Sequence, residues 1–261
     1  MSTALSVNLN KIALLRNSRE GDFPSVLTHG KICLDAGADG LTVHPRPDQR
    51  HIRPQDVYQL AELVANHTGI EFNIEGNPFA QALGDYPGLL TLVEETRPHQ
   101  CTLVPDADNQ LTSDHGFDLT TSRDQLQPII ARLHQLGVRI SLFMDPDPEQ
   151  IRLAAALGVE RIELYTGPYA QCFSVDNEQA EQQLARYRTA ADIAQQCGLE
   201  INAGHDLNLK NLPTFLTIPN IAEVSIGHAL TVDALNLGLA NAVAAYRNIC
   251  QHKTAAGIHL M

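Results

Sequence analysis

Four times in this chain a helical pattern ends in glycine and passes, after a short link, into a β-rich run. The four are Asp35-Ala36-Gly37-Ala38-Asp39-Gly40-Leu41, Gln135-Leu136-Gly137-Val138-Arg139-Ile140, Ala156-Leu157-Gly158-Val159-Glu160-Arg161-Ile162 and Gln196-Cys197-Gly198-Leu199-Glu200-Ile201. Glycine most easily takes the left-handed conformation that closes a helix. Repeated helix-to-strand turns of this kind imply βα units and a parallel sheet. Strand patterns fall at Ser6–Leu9, Gly40–His44, Glu71–Glu75, Gln100–Val104, Arg139–Met144, Arg161–Tyr165, Glu200–Ala203 and Glu223–Ile226. Amphipathic helical patterns separate them, clearest at 25–36, 54–66, 125–136, 149–157, 178–197 and 231–252, and weaker at 88–96 and 210–216. Eight such units in 261 residues predict an α/β (β/α)8 TIM barrel. A doubly wound open sheet is the alternative, but no strand leads into GxGxxG or a P-loop.

The chain reads as one domain, 1–261, with no Gly/Ser or Pro-rich linker, and residues 253–261 read as a frayed tail. Its 44% apolar content suffices for a core, and a net charge of −12 argues against nucleic acid as a partner. No apolar run approaches the ~20 residues of a membrane span, and the N-terminus lacks the pattern of a signal peptide. Five scattered cysteines without CxxC fit reduced thiols in a cytoplasmic protein. The charge is uneven: residues 1–53 hold seven Lys and Arg against five Asp and Glu, so a local basic excess sits on an acidic chain. Such an excess suits a small anionic ligand, although chance alone could produce it.

Polar residues gather toward the C-terminal ends of the strands, where this fold keeps its active sites. They are Asn8, Asn10, His44, Asn73, Glu75, Asp145, Glu163, Asn202, His205, Ser225 and His228. A single strand-end His or Asn is more often structural than functional. Glu75 and Glu163 are different, because buried carboxylates without a task are rarely kept. No HxH or HExxH spacing points to a metal. Two anion sites suggest themselves. One is His44-Pro45-Arg46-Pro47-Asp48-Gln49-Arg50-His51, where arginine offers multidentate donors. The other is Ile226-Gly227-His228-Ala229 at the eighth strand, where barrels commonly hold phosphate. Two such sites suit the joining of two phosphorylated substrates.

Taken in order, these segments resemble the pyridoxine 5′-phosphate synthase family. The resemblance spans nearly the whole chain. It rests on Val7-Asn8-Leu9-Asn10-Lys11-Ile12-Ala13-Leu14-Leu15-Arg16-Asn17, the run from Gly40 to Ile52, Asn73-Ile74-Glu75, and the run from Pro98 to Pro105. Ser141–Asp145, Ile162–Gly167, Asn202-Ala203-Gly204-His205 and Ser225–Ala229 complete it. The resemblance implies a barrel with additional helices, assembled as a homo-octamer, a tetramer of dimers. It implies condensation of 1-deoxy-D-xylulose 5-phosphate with 3-amino-2-oxopropyl phosphate to pyridoxine 5′-phosphate, phosphate and water, without metal or organic cofactor. By motif position His44, Glu75 and His205 become the acid/base residues, and Glu163 a further site carboxylate. Asn8, Arg19, Gly227 and His228 become contacts to the amino-ketone phosphate. Arg46, His51 and Thr112 become contacts to the pentulose phosphate, and Asn10, Lys11 and Asp206 complete the substrate-binding set.

Three features depart from the commonest family pattern. Asn10-Lys11 stands where Asp-His is usual, Asp206 where Gly usually follows the last catalytic His, and the stretch 77–88 is longer. None touches the acid/base triplet. Two other classes stay open on the residues alone. One is a different barrel enzyme on phosphorylated sugars, such as an aldolase or isomerase; a Schiff-base aldolase needs a strand lysine, and the chain has four lysines with none inside a strand. The other is a barrel that binds a phosphorylated metabolite without turnover.

Overall fold

The computed structural model describes residues 2–107 and 110–251. The expected tail at 253–261 lies outside them. The strands are β1 (Ala4–Asn8), β2 (Gly40–Val43), β3 (Glu71–Gly76), β4 (Gln100–Leu103), β5 (Arg139–Met144), β6 (Arg161–Tyr165), β7 (Glu200–Gly204) and β8 (Ile221–Ile226). Each pairs in parallel with the next, and β8 returns to β1, which closes the barrel. The helices are α1 (Asn10–Asn17), α2 (Val26–Asp35), α3 (Pro54–Ala65), α4 (Leu89–Thr96), α5 (Leu119–Gln135) and α6 (Pro148–Ala156). They continue as α7 (Gly167–Phe173), α8 (Asn177–Gln196), α9 (Leu212–Phe215), α10 (His228–Leu237) and α11 (Leu239–Gln251).

The four glycines that defined the helix-to-strand turns, 37, 137, 158 and 198, all have positive φ. Side-chain caps set the starts of four helices. Ser25, Asp118, Asp147 and Asp176 each accept a hydrogen bond from a backbone N–H in the first turn of the helix that follows. Three elements differ from the sequence expectation. α1 follows β1 directly, α7 fills the β6 to α8 link, and the expected helix over 231–252 is two helices that break at Gly238. α1 and α7 escaped notice because each is short, at eight and seven residues, too few to show a helical period.

The barrel interior is polar along most of its depth. Apolar and polar residues alternate on the strands, and the apolar set (Leu5, Val7, Leu41, Phe72, Ile74, Ile140, Leu142, Ile162, Leu164) is almost fully buried within the shared hydrophobic core. The polar set points inward, because its members meet partners on non-neighbouring strands. Asn202 on β7 donates to Gln100 on β4, Arg161 on β6 reaches Gln100 and Glu223, and Ser225 on β8 donates to Glu75 on β3. Such contacts can only cross the lumen. The apolar run expected of a barrel strand is therefore halved: the outer face carries it, against the helices. At the N-terminal end the lumen holds a cavity of about 190 Å³ lined by Ser6, Glu71, Asn73, Arg161 and Glu223 among others.

A buried ion pair anchors the first two βα units. Arg16 of α1 and Asp56 of α3 are 3% and 5% exposed and pair in a bidentate manner, with contacts of 2.5 and 2.9 Å. Arg16 also donates to the carbonyl of His51 at 3.0 Å, and Asn17 donates to the carbonyls of Gln49 and His51. Asp56 in turn accepts from the N–H of Arg53 at 2.8 Å. The loop 44–53 is thus held from below by two helices. Removing one partner strands the other charge in the interior, which typically costs about 3–5 kcal/mol. Arg16→Ala is expected to lose that much in urea denaturation, and a loss under about 1 kcal/mol would show that the pair is not a structural clamp.

Candidate active site

The C-terminal ends of the strands gather most of the expected residues into two clusters. The first surrounds His44, which follows β2 and is 5% exposed. Its backbone N–H donates to Asn10 Oδ1 at 2.9 Å, and the N–H of Asn10 donates to Asn8 Oδ1 at 3.0 Å. Asn10 opens α1, so it does not share a strand face with Asn8; the chain turns at Leu9, and the asparagine side chains stitch that turn to β2. His44 Nδ1 lies 3.6 Å from Glu75 Oε2, and Nε2 lies 3.0 Å from Asp106 Oδ2. Glu75 is 8% exposed and receives Asn8 Nδ2 and Ser225 Oγ, each at 3.4 Å. Arg46 pairs with Asp106 at 2.5 Å.

Charges fix the protonation of this group. Burial disfavours an imidazolium at His44, but the hydrogen bonds to Asp106 and Glu75 outweigh it and raise the pKa. Burial would raise Asp106, yet His44, Arg46 and Ser113 bring it down to about 2. His51 behaves oppositely. Burial, reinforced by the positive charges of His44, Arg46, Arg50 and Lys11, drives its pKa down to about 3. Its Nδ1 accepts from the N–H of Ile52 at 2.9 Å, so the neutral ring carries its proton on Nε2 and offers one donor.

The second cluster centres on His205, just past β7. Its Nδ1 is 2.9 Å from Asp206 Oδ2, its Nε2 is 2.9 Å from Thr112 Oγ1, and its ring meets Tyr165 edge-on at 5.1 Å. His205 and Asp206 both have positive φ, 89° and 61°. A residue in that region without glycine is strained, and here two in succession aim their side chains at the site. Asp206 is held below the usual carboxylate range by the hydrogen bond from His205, against some burial, with His205, His228 and Lys11 adding positive charge. The two departures at 11 and 206 therefore place opposite charges near one another.

Glu163 lies on β6, 4% exposed, and its Oε2 has no hydrogen-bond partner. Burial, with the charges of Glu75 and Glu223 added, raises its pKa well above 4.5. Gly204 makes room for it: a Cβ at 204 would lie 2.1 Å from Glu163 Oε1. Gly227 is similarly pressed, since a Cβ there would stand 3.0 Å from Asn8 Cβ and 3.2 Å from the Asn8 carbonyl. His228 opens α10 and is exposed, Lys11 is half-buried on α1, and Arg19 is exposed beyond the end of α1. Asp106 and Arg16 carry central contacts that the sequence reading passed over. Asp106 lies in the segment between β4 and α5, and a lone Asp after Pro105 carries no motif. Arg16 lies within the Val7–Asn17 segment and has no signal of its own; only its burial reveals its role.

The matches to known proteins follow the same pattern. A family model, "Pyridoxal phosphate biosynthesis protein PdxJ", matches residues 5–252. The chain belongs to this family. Pyridoxine 5′-phosphate synthase from Xanthomonas axonopodis pv. citri is 56% identical over 250 residues, which is 95% of this chain and 97% of that protein. The enzyme of that name from Xylella fastidiosa is 53% identical over 248 residues, covering 95% and 94%. Among solved structures, the tryptophan synthase A-subunit from Pyrococcus furiosus aligns with a TM-score of 0.60 at 13% identity over 97% of both chains. Thiamine phosphate pyrophosphorylase from the same organism gives 0.59 at 11% identity over 95% of each. At such identities these two show the barrel alone, as expected from the sequence. No helix among the described residues is long and apolar enough to cross a membrane.

Glu163 supplies a pH signature. The unfolded carboxyl ionises near 4.5 while the folded one keeps its proton to higher pH. Above 4.5 the unfolded state therefore binds fewer protons, and stability falls as pH rises. Glu223, raised to about 7 chiefly by burial, adds to the same trend. Glu163→Gln is expected to flatten the fall. Urea midpoints of both proteins at about pH 5 and about pH 8 test this, and equal slopes would refute the buried neutral carboxyl.

Proposed function

We propose that this chain is a pyridoxine 5′-phosphate synthase that condenses 1-deoxy-D-xylulose 5-phosphate with 3-amino-2-oxopropyl phosphate and releases phosphate and water. The observation that carries the reading is the His44–Glu75 pair, two buried acid/base groups 3.6 Å apart at the mouth of the barrel, facing a second histidine cluster at His205. Full-length similarity to enzymes of that name supports the substrate class. The amine of one substrate condenses with the ketone of the other, releasing water as the imine forms, and successive proton transfers then expel phosphate and a second water and close the aromatic ring. Each transfer needs a base and an acid at fixed positions. Glu75 and His44 act as bases, and His205, whose ring is held by Asp206 and Thr112, acts as donor. Glu163, whose pKa burial raises, serves as a further proton donor in a site that receives two phosphates.

The binding residues divide between the two phosphates. Arg46 and the Nε2–H of neutral His51 serve the pentulose phosphate together with Thr112. Asn8, Arg19, Gly227 and His228 serve the amino-ketone phosphate, with the first turn of α10 favouring an anion. Asn10 supports this set indirectly, by holding His44 through its backbone. Lys11 adds positive charge beside Asp206. No metal or organic cofactor enters these steps. With 3-amino-2-oxopropyl phosphate and the pentulose phosphate as substrates, His44→Asn and Glu75→Gln are each expected to form no detectable product while keeping the wild-type circular dichroism. Turnover by either variant at the wild-type rate would remove the assignment.

We infer that the chain works in the cytoplasm as a homo-octamer, a tetramer of dimers, built from one 1–261 domain. Exposed leucines and a valine on the contacting helices α1 and α10 support self-association: Leu14, Leu15, Val232, Leu235 and Leu237, with Leu235 80% exposed. Apolar patches of this kind commonly mark interfaces. Leu235→Glu is expected to yield a smaller species in light scattering, and an unchanged mass would place the interface elsewhere.

A further inference from the structure

Asp106 is assigned to neither the acid/base set nor the binding set, yet it is a carboxylate 7% exposed beside the central histidine. One oxygen, Oδ2, is shared between His44 Nε2 at 3.0 Å and Arg46 at 2.5 Å. Its own backbone is pinned, since Asn77 Nδ2 donates to the Asp106 carbonyl at 2.7 Å. An ionised carboxylate only accepts hydrogen bonds. His44 Nε2 must therefore carry a proton, which leaves Nδ1 as the nitrogen that exchanges a proton toward Glu75 and the substrate. We propose that Asp106 is the positioning residue of the site, fixing the tautomer and ring orientation of His44. The proposal rests on the synthase reading for its link to turnover, but not for the tautomer.

The sharing has a kinetic consequence. While Arg46 pairs with Asp106, part of the carboxylate's charge is neutralised. A phosphate that draws the guanidinium away leaves that charge on His44 alone and makes the imidazole a stronger base. Base strength thus rises when the pentulose phosphate arrives. The groups facing His44 that set this response are Glu75 from β3, Asp106 from the loop after β4, and Arg46 and His51 from its own loop, His51 in turn feeling the Lys11 charge from α1.

Asp106→Asn keeps an acceptor oxygen and the volume but removes the charge. In the full-length enzyme it is expected to lower kcat at least about tenfold, with little change in KM for the pentulose phosphate, and to move the acidic limb of the pH profile down by about one pH unit. Asp106→Glu is expected to recover part of both. A merely structural carboxylate would instead raise KM, lower the melting temperature and leave the limb in place; that result overturns the proposal. Nitrogen-15 NMR of labelled histidine in the wild type, with His44→Gln to assign the signal, reads the tautomer without turnover. A proton on Nε2 supports the proposal, and one on Nδ1 with Nε2 bare overturns it even if no Asp106 variant folds. Failure of the wild type to turn over the two substrates, with the Nε2–H signal present, would sink the synthase reading and leave the positioning role intact.

Discussion

The lumen of this barrel is polar along most of its depth, and the other features follow from that constraint. A barrel filled with Val, Ile and Leu is held from within. Here the inward positions are Ser6, Thr42, Asn73, Thr102, Ser141, Glu163, Asn202 and Ser225, joined in part by hydrogen bonds between neighbouring strands and, from Ser225 to Glu75 and Asn202 to Gln100, across the barrel. Such bonds contribute modestly to stability once exchange with water is counted. Cohesion must come from the outer faces of the strands, packed on the helices, where burial of each large apolar side chain is worth roughly 1.5–3 kcal/mol. That is why every strand keeps a fully apolar outer face while its inner face is free to carry chemistry.

The same division explains the unequal environments of the site carboxylates. Glu163 sits in the lumen beside other acids, and burial with their charges raises its pKa, whereas Asp106, at the rim, lies between His44 and Arg46 and is brought down to about 2. One fold thereby pushes two site carboxyl groups in opposite directions. The loop after β4 then ties the halves together, since Asp106 touches His44 at one end and Thr112 touches His205 further along. One loop thus reaches both histidines.

Much of this was legible in the sequence because it depends on local rules. The Gly-terminated helices gave the alternation of the barrel, and all eight strands fall where alternation placed them, within a few residues at their ends. Glu75, Glu163, His44 and His205 stood out because polar residues at strand ends are costly unless used. What escaped depends on distance in space. Nothing near Arg16 announces Asp56 forty positions away, and nothing near Asp106 announces His44. Short helices such as α1 lack the length to show a period, so Asn10 looked like a continuation of β1 when it opens a helix. The inward face was half seen: the ends of the strands looked polar, and the middle, with Thr42 and Ser141 among apolar neighbours, did not.

The contact between Gly204 and Glu163 carries a consequence beyond this chain. A side chain at 204 would meet the carboxyl end of Glu163 on the neighbouring strand, so that carboxyl would have to turn aside. A relative that retains glycine at 204 preserves the space for an acid at 163, and one that replaces it must have moved or lost that acid. Position 204, which performs no chemistry, therefore serves as a marker for the integrity of the lumen carboxyl in sequences whose structures have not been determined.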